Sequence, residues 1–466
     1  MTATRPADDR RSAALRRPVE ITAPGTHAAA GAIFVPVAIG IAAAALSGLP
    51  LFQDGGSYLF ELLLTHSAIR HHRLSVALLQ VPARAMMRLV SILGLDDSKA
   101  LPLVRLAFDA SYAMVPLVAL GLSWLIVRRR RPDLLIWPAL VILFVNLVNF
   151  SWVSELLIGI ELCCPLLLST VLLLGTRAHW VLTALLLPIV LLLHPLVAPL
   201  LLVIAVAAAY AGGHVRSAAR WTCAVYVAAA LLRIVMSLLS LTSYESGFTG
   251  GEEMRTYLFA TSWQNAILLM SALAIAGSCW RAKALHGPQR RLAYRGSATI
   301  AIAAAILLVS QYLVGTGAFP LKTGLTLFVA IGILLIGMLD SGTAPSSDET
   351  RERMRLAAVL AIVFALVVVA KSLLWHNTVT RLLRTLAAAR TSCVETIADE
   401  FTWVHRAPYT IVDTWALPSL ALVLQDERPR RLLLESGDCA RFFESGAVRV
   451  DPWTVLPAHV IVPRLD

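Results

Sequence analysis

Runs of about 20 apolar residues, each nearly free of charge, recur along most of this chain. A helix of that length spans the hydrocarbon core of a bilayer and satisfies its own backbone hydrogen bonds there. A soluble protein carries about 25% charged residues, whereas this chain carries 15%, too few to cover a water-facing surface. The pattern therefore predicts an all-α polytopic membrane protein whose surface lies mostly in lipid, so that membrane lipid is its first predicted partner.

The apolar runs predict about eleven transmembrane helices. The runs lie near residues 31–52, 102–127, 134–151, 156–175, 178–194, 196–212, 219–241, 263–280, 298–315, 323–339 and 356–375. His194-Pro195 separates the fifth run from the sixth, and the proline favours a helix break there. One long kinked helix is the alternative, and it would invert the orientation of everything downstream.

Lysine and arginine predict the orientation, because cytoplasmic loops carry an excess of both. Basic clusters follow alternate spans: the N-terminal tail, residues 128–131, Arg177, Arg216 with Arg220, residues 281–295 and residues 351–355. This predicts an integral plasma (inner) membrane protein with a cytoplasmic tail at 1–30 and a membrane domain at 31–375. Because the net charge of +11 comes from these clusters, it predicts no nucleic-acid partner.

Two of the predicted outer segments are long enough to fold. Residues 53–101 show apolar residues at helical spacing between basic ones, which predicts amphipathic helices over about 57–95 at the membrane surface. Residues 376–466 hold short β-like runs separated by turn residues, which predicts a small α/β extracytoplasmic segment. Cys393 and Cys439 lie in this last segment and are candidates for one disulfide, an assignment the sequence leaves open.

The sharpest local motif is Asp54-Gly55-Gly56-Ser57-Tyr58, directly after the first predicted span. Two glycines allow a tight turn where the chain leaves the membrane. A carboxylate held at the membrane–water boundary can act as a base. Alternatively, Asp54 simply caps the helix that follows, and the two roles are compatible.

Other ionisable residues lie at predicted outer helix ends. Arg105 and Asp109 stand one turn apart and can neutralise each other. Lys322 follows a glycine-rich outer turn, where it suits a phosphate or simply snorkels to the interface. Glu155 and His194 also lie at outer ends, and packing is the simpler explanation for the histidine.

Further candidates are less specific. Glu161 and Arg233 are the best mid-span ionisable residues, and each is a candidate partner for the other. The loop residues Arg70, His71, His72 and Arg73 suit an anionic headgroup or form an ordinary solvated helix face. Zinc-ligand spacings, a phosphate-binding loop and a nucleophile elbow are all missing from the sequence.

Three of these features together resemble the GT-C class of membrane glycosyltransferases: the acid directly after the first span, amphipathic helices in the same outer loop, and about eleven spans followed by an outer C-terminal segment. The resemblance implies sugar transfer from a polyprenyl-phosphate carrier to an acceptor on the extracytoplasmic face. Carried over, Asp54 is the base, and Lys322 and Arg105 are candidates for the carrier phosphate. Tyr58, Glu155 and His194 complete the predicted substrate-binding residues.

Asp54-Gly55-Gly56 differs from the commoner patterns of that class, which have a paired acid at this turn. The difference argues against a metal-dependent mechanism, and no metal site and no cofactor besides the lipid-linked donor are predicted. Two other functions stay open. A transporter or lipid flippase would need ionisable residues along a central path, whereas the polar residues here cluster at the outer face. A non-catalytic membrane scaffold would bind a partner through its C-terminal segment.

Overall fold

The computed structural model describes residues 26–69, 73–150, 152–212, 215–239, 318–342, 345–396, 417–426, 430–435, 439–440, 444, 447–451 and 454–457. Within these ranges the chain is mostly helical. The helices are α1 Thr26–Ser47, α2 Asp54–Thr65, α3 Val76–Ile92, α4 Asp97–Ala113, α5 Val115–Val127, α6 Ile136–Val148, α7 Glu155–Leu173, α8 Arg177–Leu191, α9 Ala198–Ala211, α10 Arg216–Leu239, α11 Ala318–Ser341, α12 Ser347–Ala388 and α13 Leu417–Leu424. Short 3₁₀ turns lie at Leu49–Leu51, Pro132–Leu135 and Pro195–Val197.

Five of the described helices are long and apolar enough to cross a membrane: Ala28–Ser47, Asp97–Val127, Glu155–Leu173, Arg216–Leu239 and Ser347–Ala388. The second of these combines α4 and α5, which meet at Met114. The other predicted spans within the described residues coincide with shorter apolar helices. The runs near 263–280 and 298–315 lie outside the described residues, so the total of about eleven stays a prediction.

Helix α12 is the longest described element and packs along α1. Its start is fixed by a capping box, in which the Ser346 hydroxyl accepts from the Glu349 amide and the Glu349 carboxylate accepts from the Ser346 amide. At Gly40 the two helices come so close that an added Cβ would lie 3.2 Å from the Phe364 ring. The helix also continues to Ala388, past the predicted span end at 375, and Leu382 and Leu386 on this extension are buried.

One end of the bundle is held by a buried ionic cluster, here called the Arg353 end. Arg353 donates to Asp133 at 3.2 Å and to both carboxylate oxygens of Asp340. Arg131 donates to Asp133 at 2.8 and 2.9 Å and to the Ser341 carbonyl at 2.9 Å. Because the two carboxylates are almost fully buried, the guanidinium groups offset the cost of removing them from water.

The opposite end is marked by Trp375, whose indole N–H donates to the Gly48 carbonyl at 2.7 Å; it is here called the Asp54 end. Along α12, Arg353 and Trp375 are separated by about 33 Å at 1.5 Å per residue, close to the thickness of a hydrocarbon core. The bundle between the two ends therefore has the height that a bilayer requires.

The chain reverses direction at His194-Pro195. Val197 packs on Gly159 near the Asp54 end, since a Cβ on that glycine would lie 2.6 Å from it. Tyr210 reaches Gly342 at the Arg353 end, where an added Cβ would lie 2.8 Å from the phenol oxygen. Helix α9 thus runs between the two ends as a separate helix, and the single kinked helix is excluded.

The two helices of the first predicted outer loop differ in their surroundings. Helix α3 has one buried face, and its exposed residues include several large apolar ones, as expected of an amphipathic surface helix. Helix α2 is buried over Gly55 to Phe60, because it is enclosed by the 3₁₀ turn Leu49–Leu51 and by α13. The two helices therefore differ in how far protein covers them, and their predicted position at the membrane surface stays a prediction.

The described parts of the C-terminal segment have both α and β structure. Strands β1 Cys393–Thr396 and β2 Leu432–Glu435 pair in parallel, and β3 Ala447–Asp451 and β4 Thr454–Pro457 pair antiparallel. A disulfide joins Cys393 to Cys439, with their Cα atoms 5.9 Å apart. Two of the short β-like runs predicted from the sequence, at 410–412 and 460–462, lie outside the described residues.

Candidate functional site

Asp54 occupies the first position of α2, and Gln53 is the N-cap residue. The Asp54 side chain is half-buried. Gln53 has φ 51° and ψ −113°, a backbone conformation that residues with a Cβ rarely adopt. Strain of this kind persists only where the surrounding structure imposes it, and it is concentrated at functional sites. The geometry therefore singles out this turn.

The two glycines of the motif allow a close backbone approach. An added Cβ at Gly55 would lie 1.7 Å from the Pro50 carbonyl oxygen, and one at Gly56 would lie 2.9 Å from that of Leu51. Gly56 also faces α13, where an added Cβ would lie 3.1 Å from Leu420. Since neither glycine has a positive φ, their role is to let α2 begin directly against the turn that precedes it.

Tyr58, one turn after Asp54, is joined to Glu155 although 97 residues separate them. The phenol donates to one carboxylate oxygen of Glu155, and Arg73 donates to the other at 2.8 Å. All three side chains are largely withdrawn from solvent. Glu155 is also the first residue of α7, where the helix dipole favours a negative charge.

The pKa of Tyr58 lies well above its ordinary value. Burial is the main cause, and the negative charge of Glu155 acts in the same direction, whereas Arg73 acts against it. The charge of Asp54 also raises this pKa, so Asp54 lies within electrostatic range of the phenol. The phenol therefore stays protonated at neutral pH and keeps donating to Glu155. We call Asp54, Tyr58, Arg73 and Glu155 the acidic cluster.

Aromatic side chains connect the two segments that carry the acids. Phe52, just before Gln53, contacts Phe150 edge to face with ring centroids 4.8 Å apart. Phe52 also contacts Trp375 at 5.6 Å. On the way to Glu155, the Trp152 indole donates to the Tyr112 carbonyl at 3.0 Å. These contacts hold both segments against the same layer of the bundle core.

Arg105 contacts the C-terminal segment. It donates to the carbonyls of Val423 at 2.9 Å and Leu424 at 2.8 Å, and it forms an ion pair with Asp426 at 2.7 Å. Among the described contacts its ion-pair partner is thus Asp426 rather than Asp109. The guanidinium binds the C-terminal end of α13, where a cation is favoured, and so holds that helix beside α2.

His194 lies in the loop between α8 and α9. Its Nδ1 accepts from the Leu196 amide at 3.1 Å, so the ring caps the turn Pro195–Val197. The same loop reaches the start of α3, because the Ser75 amide donates to the Leu192 carbonyl at 3.4 Å. Lys322 lies in α11, but its side chain is outside the described part of the structure, so its predicted role stays a prediction.

The structure thus brings together Asp54, Tyr58 and Glu155 from the predicted set and adds Arg73. The sequence offered a weak signal for Arg73, the basic run 70–73, of which residues 70–72 lie outside the described residues. The mid-span pair predicted for Glu161 is replaced by another contact, since Asn146 donates to it at 3.2 Å. Within the described residues, no group of three or more His, Cys, Asp and Glu is placed to hold a metal ion.

Comparison with known proteins gave no match: no family model, curated protein or solved structure is similar to this chain. The chain is therefore characterised by its fold and its site: a mostly helical protein with helices long and apolar enough to cross a membrane, and with an acidic cluster at one end of the bundle.

Proposed function

We propose that this chain is a membrane glycosyltransferase of the GT-C type, which moves a sugar from a polyprenyl-phosphate carrier to an acceptor on the extracytoplasmic face. Asp54 is the general base in this proposal. The observation that carries it is the convergence of Asp54, Tyr58, Glu155 and Arg73 at the Asp54 end, beside a strained backbone turn. Perturbed ionisable groups beside strained backbone are typical of sites that perform chemistry.

The proposed chemistry follows from the charges. Asp54 accepts the proton of the acceptor hydroxyl as that oxygen bonds to the anomeric carbon of the sugar. The bond between that carbon and the carrier phosphate breaks, and the leaving phosphate requires a nearby cation. Arg73 is a candidate for this cation, because its guanidinium belongs to the acidic cluster through Glu155. Arg105 is the second candidate, and each guanidinium already has a carboxylate partner, Glu155 for Arg73 and Asp426 for Arg105.

The proposed orientation places the N-terminus in the cytoplasm and the acidic cluster outside, in the plasma (inner) membrane. Two observations support it. Arg131 and Arg353, from two of the predicted cytoplasmic clusters, meet at one end of the bundle. The disulfide between Cys393 and Cys439 follows the other end of α12, and disulfides persist in oxidising compartments.

Replacing Asp54 with asparagine tests the function. Proteoliposomes receive a panel of radiolabelled polyprenyl-phosphate sugars and a membrane extract as the source of acceptor. We expect Asp54→Asn to lower transfer at least about 100-fold, because proton transfer to a positioned base contributes that much. Glu61→Gln, on the same helix, is the matched control and should retain transfer. Unchanged turnover in a folded Asp54→Asn protein would contradict the proposed role.

A transporter is the second candidate, and one buried contact chain favours it. Lys371 donates to the Asn146 carbonyl, and the Asn146 amide donates to Glu161. These two contacts connect a cation to an acid inside the bundle, where ionisable residues usually serve a function. Substrate or proton flux into proteoliposomes that is lost in Glu161→Gln and retained in Asp54→Asn would favour transport over transfer.

A further inference from the structure

Lys371 lies in α12, one turn before Trp375, and is almost fully buried. Its ammonium donates to the carbonyls of Asn146 and Asn149, the latter at 2.6 Å. Asn149 is the C-cap residue of α6. A cation is favoured at the end of a helix because the last carbonyls lack partners within the helix. Lys371 therefore supplies hydrogen-bond donors for two carbonyls inside the bundle.

The contact continues from Lys371 to Glu155. The ammonium lies 5.8 Å from the centroid of the Phe150 ring, within the range of a cation–π contact. Phe150 belongs to the short connection between α6 and α7, and Glu155 is the first residue of α7. Lys371 thus fixes the beginning of the connection that ends at Glu155.

A second contact chain leads from the same turn of α12 to Asp54. Trp375 donates to the Gly48 carbonyl at 2.7 Å and packs against Phe52 at 5.6 Å. Phe52 also packs against Phe150, and it stands two residues before Asp54. The connection at Phe150 and the turn before Asp54 therefore pack against each other, and both contact the same turn of α12.

We infer that Lys371 is a positioning residue for the acidic cluster: by binding the end of α6 it sets where Glu155 stands relative to Tyr58 and Asp54. The expected effect of Lys371 on turnover rests on the proposed function, because it requires that the acidic cluster catalyses a reaction. The geometric part of the inference is independent of any activity, so the two can fail separately.

The experiment places 3-fluorotyrosine at position 58 and compares its ¹⁹F chemical shift at neutral pH in nanodiscs. The background proteins are wild type, Lys371→Met and Lys371→Arg, with Ser372→Ala as the matched control. Ser372 is the buried neighbour on α12, and its hydroxyl has no hydrogen-bond partner within the described structure. Thermal unfolding shows which variants are folded.

We expect Lys371→Met to move the ¹⁹F shift of position 58 away from the wild-type value, because the hydrogen bond from the phenol to the Glu155 carboxylate weakens. Lys371→Arg, which keeps donors for the carbonyls, should stay near wild type, as should Ser372→Ala. In the transfer assay, Lys371→Met should lose about 100-fold in kcat, the cost of a misplacement of about 1 Å. KM should change less.

A folded Lys371→Met protein with an unchanged ¹⁹F shift would overturn the inference. If Lys371→Met does not fold, Lys371→Gln carries the test: its amide is shorter and uncharged and holds the two carbonyls less tightly, so a smaller change in the same direction is expected. A changed ¹⁹F shift in a chain whose wild type transfers no sugar would leave the positioning role intact and reject the transferase proposal.

Discussion

At the scale of single residues, some properties of the Asp54 motif follow from its own sequence, and others follow from the segments that pack against it. The sequence singled out Asp54 and Tyr58, and both belong to the acidic cluster. The glycines, expected to permit a tight turn, instead admit the Pro50 and Leu51 carbonyls. The Asp54 side chain stands at the first helical position, with Gln53 as the N-cap residue.

Gly55→Ala tests this close approach. A Cβ there would lie 1.7 Å from the Pro50 carbonyl oxygen, so the backbone must shift, and we expect a loss of at least about 2 kcal/mol in stability. Gly121→Ala is the matched control, because no atom lies within 4 Å of its added Cβ, and alanine there should be neutral or slightly stabilising. Thermal unfolding in the same detergent compares them; equal melting temperatures would contradict the described packing.

At the scale of elements, α3 presents two apolar faces. Val76, Ala83 and Val90 are buried, whereas Leu78, Val81 and Leu89 are each about half exposed, at 55%, 51% and 46%. The three exposed residues recur at helical spacing and form one stripe. A stripe of this kind on a membrane protein is explained by acyl chains, so we expect α3 to lie at the lipid surface with its polar edge toward water.

Nitroxide labels test this placement. Single cysteines at positions 78, 81 and 89 are labelled in nanodiscs, with Ser91→Cys, on the polar edge, as the control. Labels on the stripe should be more accessible to oxygen than to a water-soluble nickel chelate, because oxygen partitions into lipid, and the control should show the reverse. Equal chelate accessibility at all four positions would place the stripe in water.

At the scale of the whole molecule, the two ends of the bundle are distinguished by their chemistry. Arg131 and Arg353 surround buried carboxylates at one end. At the other end, Arg105 binds the C-terminal segment, whose helix α13 packs against α2, and a disulfide joins two parts of the same segment. By the positive-inside rule we expect the first end to face the cytoplasm, and the disulfide is consistent with an oxidising compartment for the second.

Cys393→Ser tests the orientation and the disulfide together. The variant leaves Cys439 as a free thiol, and we expect a membrane-impermeant maleimide to label it on intact cells, while the wild type is labelled there only after reduction. Because the bond closes a loop with a sequence separation of 46, its loss should cost about 4 kcal/mol, visible as a lower melting temperature. Labelling that requires permeabilised cells would invert the topology.

The sequence by itself determined the mostly helical class and the positions of the apolar helices within the described residues, and it drew attention to the Asp54 motif. Local information sufficed, because the cost of placing charge and unpaired backbone in lipid depends on each segment alone. Only the tertiary structure decided that Tyr58 meets Glu155, that Arg73 joins them, that Arg105 binds α13 and that α2 is buried. Those contacts join residues far apart in the chain, and which surfaces meet is decided by packing among helices that look alike in composition.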